Sequence, residues 1–477
     1  MHPTRQRVRR GLAWSGVASA TLGVLDVIAT LLLLRRFLSP AEYGVAALAT
    51  TLFPMLDLLA DAGIGAAIVQ RSRVDHAALS SAWWAALAIA AMIAAGLAVV
   101  GPGLASIHGH PVVGGLLAAY GAKLVVQNAA TIPMALLRRE LRFRALAVIK
   151  MVAAIAEFAG KIIAAAAGLG VWCFVIAALA KVAAQIVTAQ LAQPFWPRGR
   201  PRRAEAAQFL RFGGRISASQ ILFHVYSNLD YQIVAYVFGA AATGLYRAAY
   251  ELVLEPAKIL SYVVVDVAFP VYCKLRGDRA ALRAQLIAFT RQNLLVLLPV
   301  LSVMAIVPAE LLELVFGAAW RPAADAVRLL CVVGGLRALS FLLPPLLDGV
   351  GRADLTLRYT VVAAIAVPAA QLVAALTLGD AFGWRAVALA WVVAYPIAFA
   401  VLVALVLAEI ELAPRDYLRG VGDLLVAGAS ALALGALAAH ALPMTSAAVR
   451  VAVVSAIVVA SGAIAVRATG PRALRWS

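Results

Sequence analysis

The sequence predicts an all-α, polytopic membrane protein of about fourteen transmembrane helices. Two observations carry this. Apolar runs of the length a bilayer demands, roughly 20 residues, recur from Gly11 to Val466. Hydrophobic residues make up 64% of the 477 and charged residues only 13%, about half the share of an ordinary soluble domain.

The spans are expected near 12–34, 43–69, 79–101, 112–136, 145–168, 171–192, 215–238, 245–270, 288–307, 325–350, 356–378, 384–408, 419–440 and 445–466. Turn chemistry marks the breaks: Ser39-Pro40, Gly101-Pro102-Gly103, Gly168-Leu169-Gly170, Gly379-Asp380 and Leu442-Pro443. Residues 1–192 then form an N-terminal lobe, 193–214 a Pro- and Arg-rich cytoplasmic linker, and 215–408 a C-terminal lobe. Residues 409–477 hold the two additional spans and a cytoplasmic tail.

Basic residues set the orientation. One alternate set of connections holds Arg5 to Arg10, Arg71 and Arg73, Arg138 to Arg144, Arg198 to Arg215, Lys274 to Arg291, Arg352 and Arg358, Arg415 and Arg419, and Arg467 to Arg475, twenty-eight Lys and Arg in all. The opposite set holds five: Arg35, Arg36, Arg321, Arg385 and Arg450. Basic loops stay in the cytoplasm, so both termini are expected there, as an even helix count requires. The net charge of +18 is on this reading a topology signal. The cluster Arg198 to Arg203 sits in an inside loop, where it meets lipid headgroups rather than nucleic acid.

Several classes are excluded. No G-x-x-x-x-G-K-[ST] run is present, so no ATP is hydrolysed on this chain. No nucleophile triad or metal cluster appears, and Cys173, Cys273 and Cys331 stand alone. The expectation is a transporter rather than an enzyme, with no catalytic residues, no metal and no cofactor beyond a coupling H+ or Na+. His108 and His110 form H-x-H, too little for a metal site, and His224 reads as a buried, hydrogen-bonded histidine. Arginine outnumbers lysine 35 to 6, the bias of a GC-rich bacterial genome.

The two halves share a weak internal likeness. Leu25-Asp26 precedes Phe37-Leu-Ser-Pro-Ala-Glu-Tyr-Gly44, and Leu229-Asp230 precedes Phe238-Gly-Ala-Ala-Ala-Thr-Gly244. Internal repeats are common in secondary transporters, with the substrate between them. Pro54, Pro256, Pro344, Pro345, Pro368 and Pro396 fall inside spans and would bend them.

Charges within spans mark the candidate site. A buried charge costs at least ~2.5–3.5 kcal/mol, so each needs water or a partner. Five of the six lysines lie in spans: Lys123, Lys150, Lys161, Lys181 and Lys258. Lys150 is close enough to its helix end to snorkel. Glu157 and Lys161 are four apart and can pair. Lys123 and Lys181 have no partner nearby in sequence, which points to a cationic cavity in the first lobe. Arg337 has none either and would complete a basic lining. Span eight carries Arg247, Glu251, Glu255 and Lys258, a self-neutralising ladder.

The acids offer ion-coupling candidates. Asp57 and Asp61 share one face of span two. Asp26 lies about 24 Å along its helix from Arg10, and Asp230 about 22 Å from Arg215, so both are deep. For each, the alternative is a bond to a neighbouring helix.

With these residues in view, the chain resembles the Wzx-type lipid-linked oligosaccharide flippases of the multidrug/oligosaccharidyl-lipid/polysaccharide exporter superfamily. The stretches that carry the resemblance are Leu34-Arg-Arg-Phe-Leu-Ser-Pro-Ala-Glu-Tyr-Gly44, Leu58-Leu-Ala-Asp-Ala-Gly-Ile-Gly65, Ser227-Asn-Leu-Asp-Tyr231, Gly244-Leu-Tyr-Arg-Ala-Ala-Tyr250 and Leu314-Val-Phe-Gly-Ala-Ala-Trp320. The resemblance implies two six-helix lobes around a central cavity, followed by two additional C-terminal helices, in the bacterial inner membrane. It implies movement of an undecaprenyl-diphosphate-linked oligosaccharide for exopolysaccharide synthesis, alongside a polymerase and glycosyltransferases. The diphosphate would meet Lys123, Lys161, Lys181 and Arg337. Related drug exporters carry a first-helix acid for cation coupling, a role open to Asp26. Lipid II flippases carry arginines inside the first two helices; this chain has none there, which argues against that branch. Two other readings stay open: a cation-coupled multidrug exporter of the same fold, and a non-transporting scaffold of a polysaccharide synthase.

Overall fold

The computed structural model describes residues 23, 25–70, 74–107, 109–140, 142–199, 201–441 and 446–468. Most of span one, Arg5 to Arg10, Arg71, Arg73, Arg200, Arg472, Arg475, His108 and the Leu442-Pro443 turn lie outside the described residues. Among those described, helix dominates and no strand occurs. This is what lipid dictates, because a helix satisfies its own backbone N–H and C=O groups where no water can.

Ten of the described helices are long and apolar enough to cross a membrane, and each overlies an expected span. The other four expected spans differ for identifiable reasons. The first is α1 (25–36), described only in part. The fifth is α7 (Phe143–Ala166), long enough but loaded with Arg144, Lys150, Glu157 and Lys161. The seventh and eighth run together in α9 (Arg203–Leu275), whose only non-helical residue is Gly239 at φ 85°. The Ala/Gly turn read from the sequence at 239–244 thus shrinks to one glycine. Its alanines are strong helix formers, and only glycine enters that backbone region without strain.

The chain divides into two compact units, residues 1–228 with 239–241, and residues 229–238 with 242–477. In the first, the Ser-Pro-Ala-Glu stretch is a helix start. Ser39 caps α2 (Pro40–Thr50): its Oγ accepts from the Glu42 amide, Glu42 accepts from the Ser39 amide at 2.9 Å, and Pro40 opens the first turn. Pro54 then breaks span two. The helix stops at Thr50 and resumes as α3 (Phe53–Asp61). The Thr51 carbonyl left over by the break accepts from His224 Nε2 at 3.1 Å. His224 is therefore a hydrogen-bonded histidine whose Nε2 carries a proton. A second break at Ala62 and Gly63, both at positive φ, leads into α4 (Ile64–Gln70).

Next, α5 (His76–Ile107) lies so close along α6 (Pro111–Arg139) that a Cβ on Gly121 would sit 2.9 Å from the Ala94 Cα. Small residues at helix contacts are how membrane helices gain dispersion energy without a hydrophobic drive. α7 and α6 both pack on α8 (Cys173–Ala192). The stretch after α8 is tied down rather than loose. The Arg198 and Arg202 amides donate to Ser80 and Ser81 Oγ at 3.0 and 2.9 Å. Phe195 and Phe209 enter the core with Ile64, Ile68 and Ile132.

The second unit holds α10 (Arg279–Ile306), α11 (Pro308–Val315), α12 (Ala324–Ser340), α13 (Leu343–Gly349), α14 (Ala353–Thr377), α15 (Gly379–Phe382), α16 (Arg385–Glu409), α17 (Pro414–Ala441) and α18 (Ala447–Ala468). Pro344 and Pro345 sit where span ten restarts as α13. The last two spans are firmly part of this unit. Gly420, Gly428 and Gly435 of α17 receive Ile287, Leu298 and Ile306 of α10. Arg291 of α10 clasps Asp423 of α17 through two bonds of 2.5 and 2.6 Å, a fork-to-carboxylate match. Three of the five basic residues outside the basic loops are matched by acids: Arg321 with Glu313, Arg385 with Asp325, and Arg450 with Glu310.

Candidate functional site

Every lysine proposed for the first cavity has a carboxylate partner in the structure, and the partners are not the ones sequence proximity favours. Lys161 bonds Asp26 at 3.1 Å rather than its own-helix neighbour Glu157. Glu157 instead meets Lys181 of α8 at 2.8 Å. Lys123, without a partner in the sequence reading, bonds Asp57 at 2.6 Å. The α3–α6 contact brings Asp57 to Lys123 and the α7–α8 contact brings Glu157 to Lys181, and a buried charge left without a partner is costly.

Asp26, Glu157, Lys161 and Lys181 line one recess of about 330 Å3, with Phe158 and Ala154 in its wall. Asp26 is open to the recess, with 71% of its side chain exposed. Its partner Lys161 is nearly enclosed and lies 6.0 Å from the Phe174 ring. Lys181 is 41% exposed. The lining thus carries two cations and two anions and is neutral in sum.

Lys123 lies outside that lining. It is 4% exposed and held by a small network. Tyr120 donates to Asp57 Oδ2 at 2.7 Å, Lys123 Nζ donates to Tyr120 Oη at 3.1 Å, and the Tyr120 ring stacks on Phe53 with centroids 3.5 Å apart. Asp61, four residues beyond Asp57, keeps different company: its carboxylate and the Arg138 guanidinium flank Gly65.

The second unit builds a separate buried polar site. Asp230 is fully enclosed. Its Oδ2 accepts from Tyr246 Oη at 2.7 Å and Trp391 Nε1 at 3.0 Å, and its Oδ1 from the Tyr231 amide at 3.0 Å. Arg337 stands beside this group. It donates to Tyr250 Oη at 2.6 Å and lies 4.9 Å from the Trp391 ring and 5.9 Å from Tyr395. A guanidinium over aromatic faces is stabilised by their quadrupoles, so Arg337 is caged by rings. Span eight pairs within itself as expected, Arg247 with Glu251 and Lys258 with Glu255.

The sequence reading missed the aromatic partners. Tyr120 and Lys123 share a helix face by i,i+3 spacing, as Tyr246 and Tyr250 do by i,i+4, and both signals were there to be used. Trp391 lies 161 residues from Asp230, and nothing local announces it.

Comparison with known proteins agrees with this architecture. A family model described as polysaccharide biosynthesis protein matches residues 33–325. The lipopolysaccharide biosynthesis protein WzxC of Escherichia coli (strain K12) is 24% identical over 363 residues, 75% of this chain and 73% of that protein. The succinoglycan biosynthesis transport protein ExoT of Rhizobium meliloti (strain 1021) is 26% identical over 392 residues, 80% of this chain and 78% of that one. Among solved structures, the lipid II flippase MurJ in an inward closed conformation superposes with a TM-score of 0.76 over 96% of this chain and 98% of that one, at 13% identity. That likeness is one of fold. With ten apolar helices of spanning length among the described residues and a family match over more than half its residues, this multi-pass membrane protein belongs to the polysaccharide biosynthesis protein family.

Proposed function

We propose that this protein is a flippase that moves an undecaprenyl-diphosphate-linked oligosaccharide across the bacterial inner membrane. The observation that carries the reading is the recess lined by Asp26–Lys161 and Glu157–Lys181, joined to the family membership. A diphosphate bears two or more negative charges, and a lysine binds it as a point charge at low dielectric. Each lysine is held ready by a carboxylate that an incoming diphosphate displaces. The freed Asp26 or Glu157 is then a recess anion without its cation, and a coupling H+ or Na+ is the partner that would fill that place. Substrate binding and cation binding are thereby linked through shared lysines. Lys123, Asp57 and Tyr120 position the wall behind the recess. Asp61 and Asp230 remain secondary coupling candidates, and Arg337 belongs to the second unit's own polar site.

The test is translocation by the purified protein in vesicles under imposed gradients. Lys181→Ala is expected to lower transport tenfold or so at normal abundance, since each lost charge contact is worth about 1.5 kcal/mol, and Lys181→Arg to retain most of it. Deleting the gene should remove a surface polysaccharide. Drug hypersensitivity with polysaccharide intact would instead identify an exporter of small cations.

We also assign fourteen spans in two lobes plus two helices, with both termini cytoplasmic, on the strength of the basic asymmetry. Reporter fusions at Gly109, Gly199 and Trp320 are expected to read outside, inside and outside. An outside signal at Gly199 overturns the orientation.

A further inference from the structure

A second recess, of about 600 Å3, opens on the surface of the first unit where the start of α7 meets the end of α8. It has two chemically distinct parts. Its mouth carries Arg142 and Arg144. Arg142 is fixed there, because its Nη1 donates to the Ala192 carbonyl at 3.1 Å and to Gln193 Oε1 at 2.9 Å. Glu140, 3.8 Å away, offsets part of the charge. The walls are apolar and bare: Val148 is 44% exposed and Leu191 79%. Below Val148, the exposed Val152 and Ile155 continue the same stripe of α7. Ile155 lies about 16 Å along the helix from Arg144.

We infer that this groove is a binding site for an anionic glycerophospholipid. The phosphate sits against Arg142 and Arg144, and one acyl chain follows Val148, Val152 and Ile155. Charge complementarity selects the occupant. Guanidinium groups match phosphate oxygens bidentately, and basic pockets between membrane helices take anionic headgroups. The apolar stripe runs on from the arginines along α7, so an occupant with an acyl chain meets both parts at once, and a zwitterionic lipid would bring its own cation towards two arginines. The site is distant in character from the lysine recess: it has net positive charge where that one is balanced. It therefore stands whether or not the flippase reading does.

The experiment uses the full chain with Cys173, Cys273 and Cys331 replaced by Ala and Leu191→Cys carrying a fluorophore, in phosphatidylcholine vesicles. Spin-labelled phosphatidylglycerol is expected to quench it about fivefold more effectively than spin-labelled phosphatidylcholine, as the single net positive charge of Arg142, Arg144 and Glu140 implies. The same label at Ile163→Cys, exposed near the other end of α7, should show a ratio near one. Arg144→Gln should bring the Leu191 ratio to about two or below. If that variant does not fold, high salt on the unmutated chain should do the same. Equal quenching by both lipids at Leu191, or a ratio indifferent to both Arg144→Gln and salt, overturns the proposal. So does full displacement of phosphatidylglycerol by an equal amount of undecaprenyl diphosphate, which would make the groove a substrate site.

Discussion

Lys123→Ala is expected to lower the amount of folded protein and its unfolding temperature sharply. Lys123 is 4% exposed and bonds Asp57 at 2.6 Å, and the Tyr120 hydroxyl bonds both. Removing one member of a buried pair leaves the other charge uncompensated, at about 3–5 kcal/mol. Asp57 keeps some access to water, which places the loss near the lower end. The double variant Asp57→Asn with Lys123→Met removes both charges and should recover most of the stability, because Tyr120 still finds an amide oxygen. Thermal unfolding in detergent checks this. Normal unfolding of Lys123→Ala with loss of transport would mean that Lys123 touches substrate directly.

Asp230→Ala should be comparably damaging for a different reason. The carboxylate is the shared acceptor for Tyr246, Trp391 and the Tyr231 amide. Alanine leaves the buried Tyr246 hydroxyl without its acceptor and takes one of two from Trp391 Nε1, which also donates to Tyr246 Oη at 3.0 Å; a buried donor left unpaired costs about 1–3 kcal/mol. Asn is a poor substitute, since its NH2 group turns a donor towards groups that already donate; we expect it to cost about 2 kcal/mol. The readout is unfolding together with gradient dependence of transport. An Asp230→Asn protein that unfolds normally yet loses its response to H+ or Na+ gradients would establish coupling at Asp230 and refute a purely structural role as shared acceptor.

The sequence revealed what lipid enforces and little that tertiary packing decides. Span after span was legible because each must be apolar for a bilayer's width, and Ser39-Pro40 was legible because capping is local. The membrane charges were also visible, since they violate that pattern. Their partners were not. Lys161 has Glu157 one turn away, yet it binds Asp26, 135 residues earlier. That choice is tertiary: α1 presents Asp26 to Lys161, and α8 brings Lys181 to occupy Glu157. The same holds for Asp230: its place inside a span was legible, but the closure of its carboxylate by Trp391 depends on α16. The shortening of the 239–244 turn to Gly239 shows a smaller failure, in which helix-forming alanines override a turn-like composition.

The pairing of Asp57 with Lys123 and of Asp26 with Lys161 has a consequence for biogenesis. The acids leave the ribosome first, by 66 and 135 residues respectively. At roughly 5–20 residues per second, Asp26 waits on the order of ten seconds for its lysine. During that interval an unmatched carboxylate sits in a nascent helix at insertion cost. Chains that stop short of α7 therefore carry orphan acids, and quality-control proteases have a chemical handle for telling half-made from finished protein.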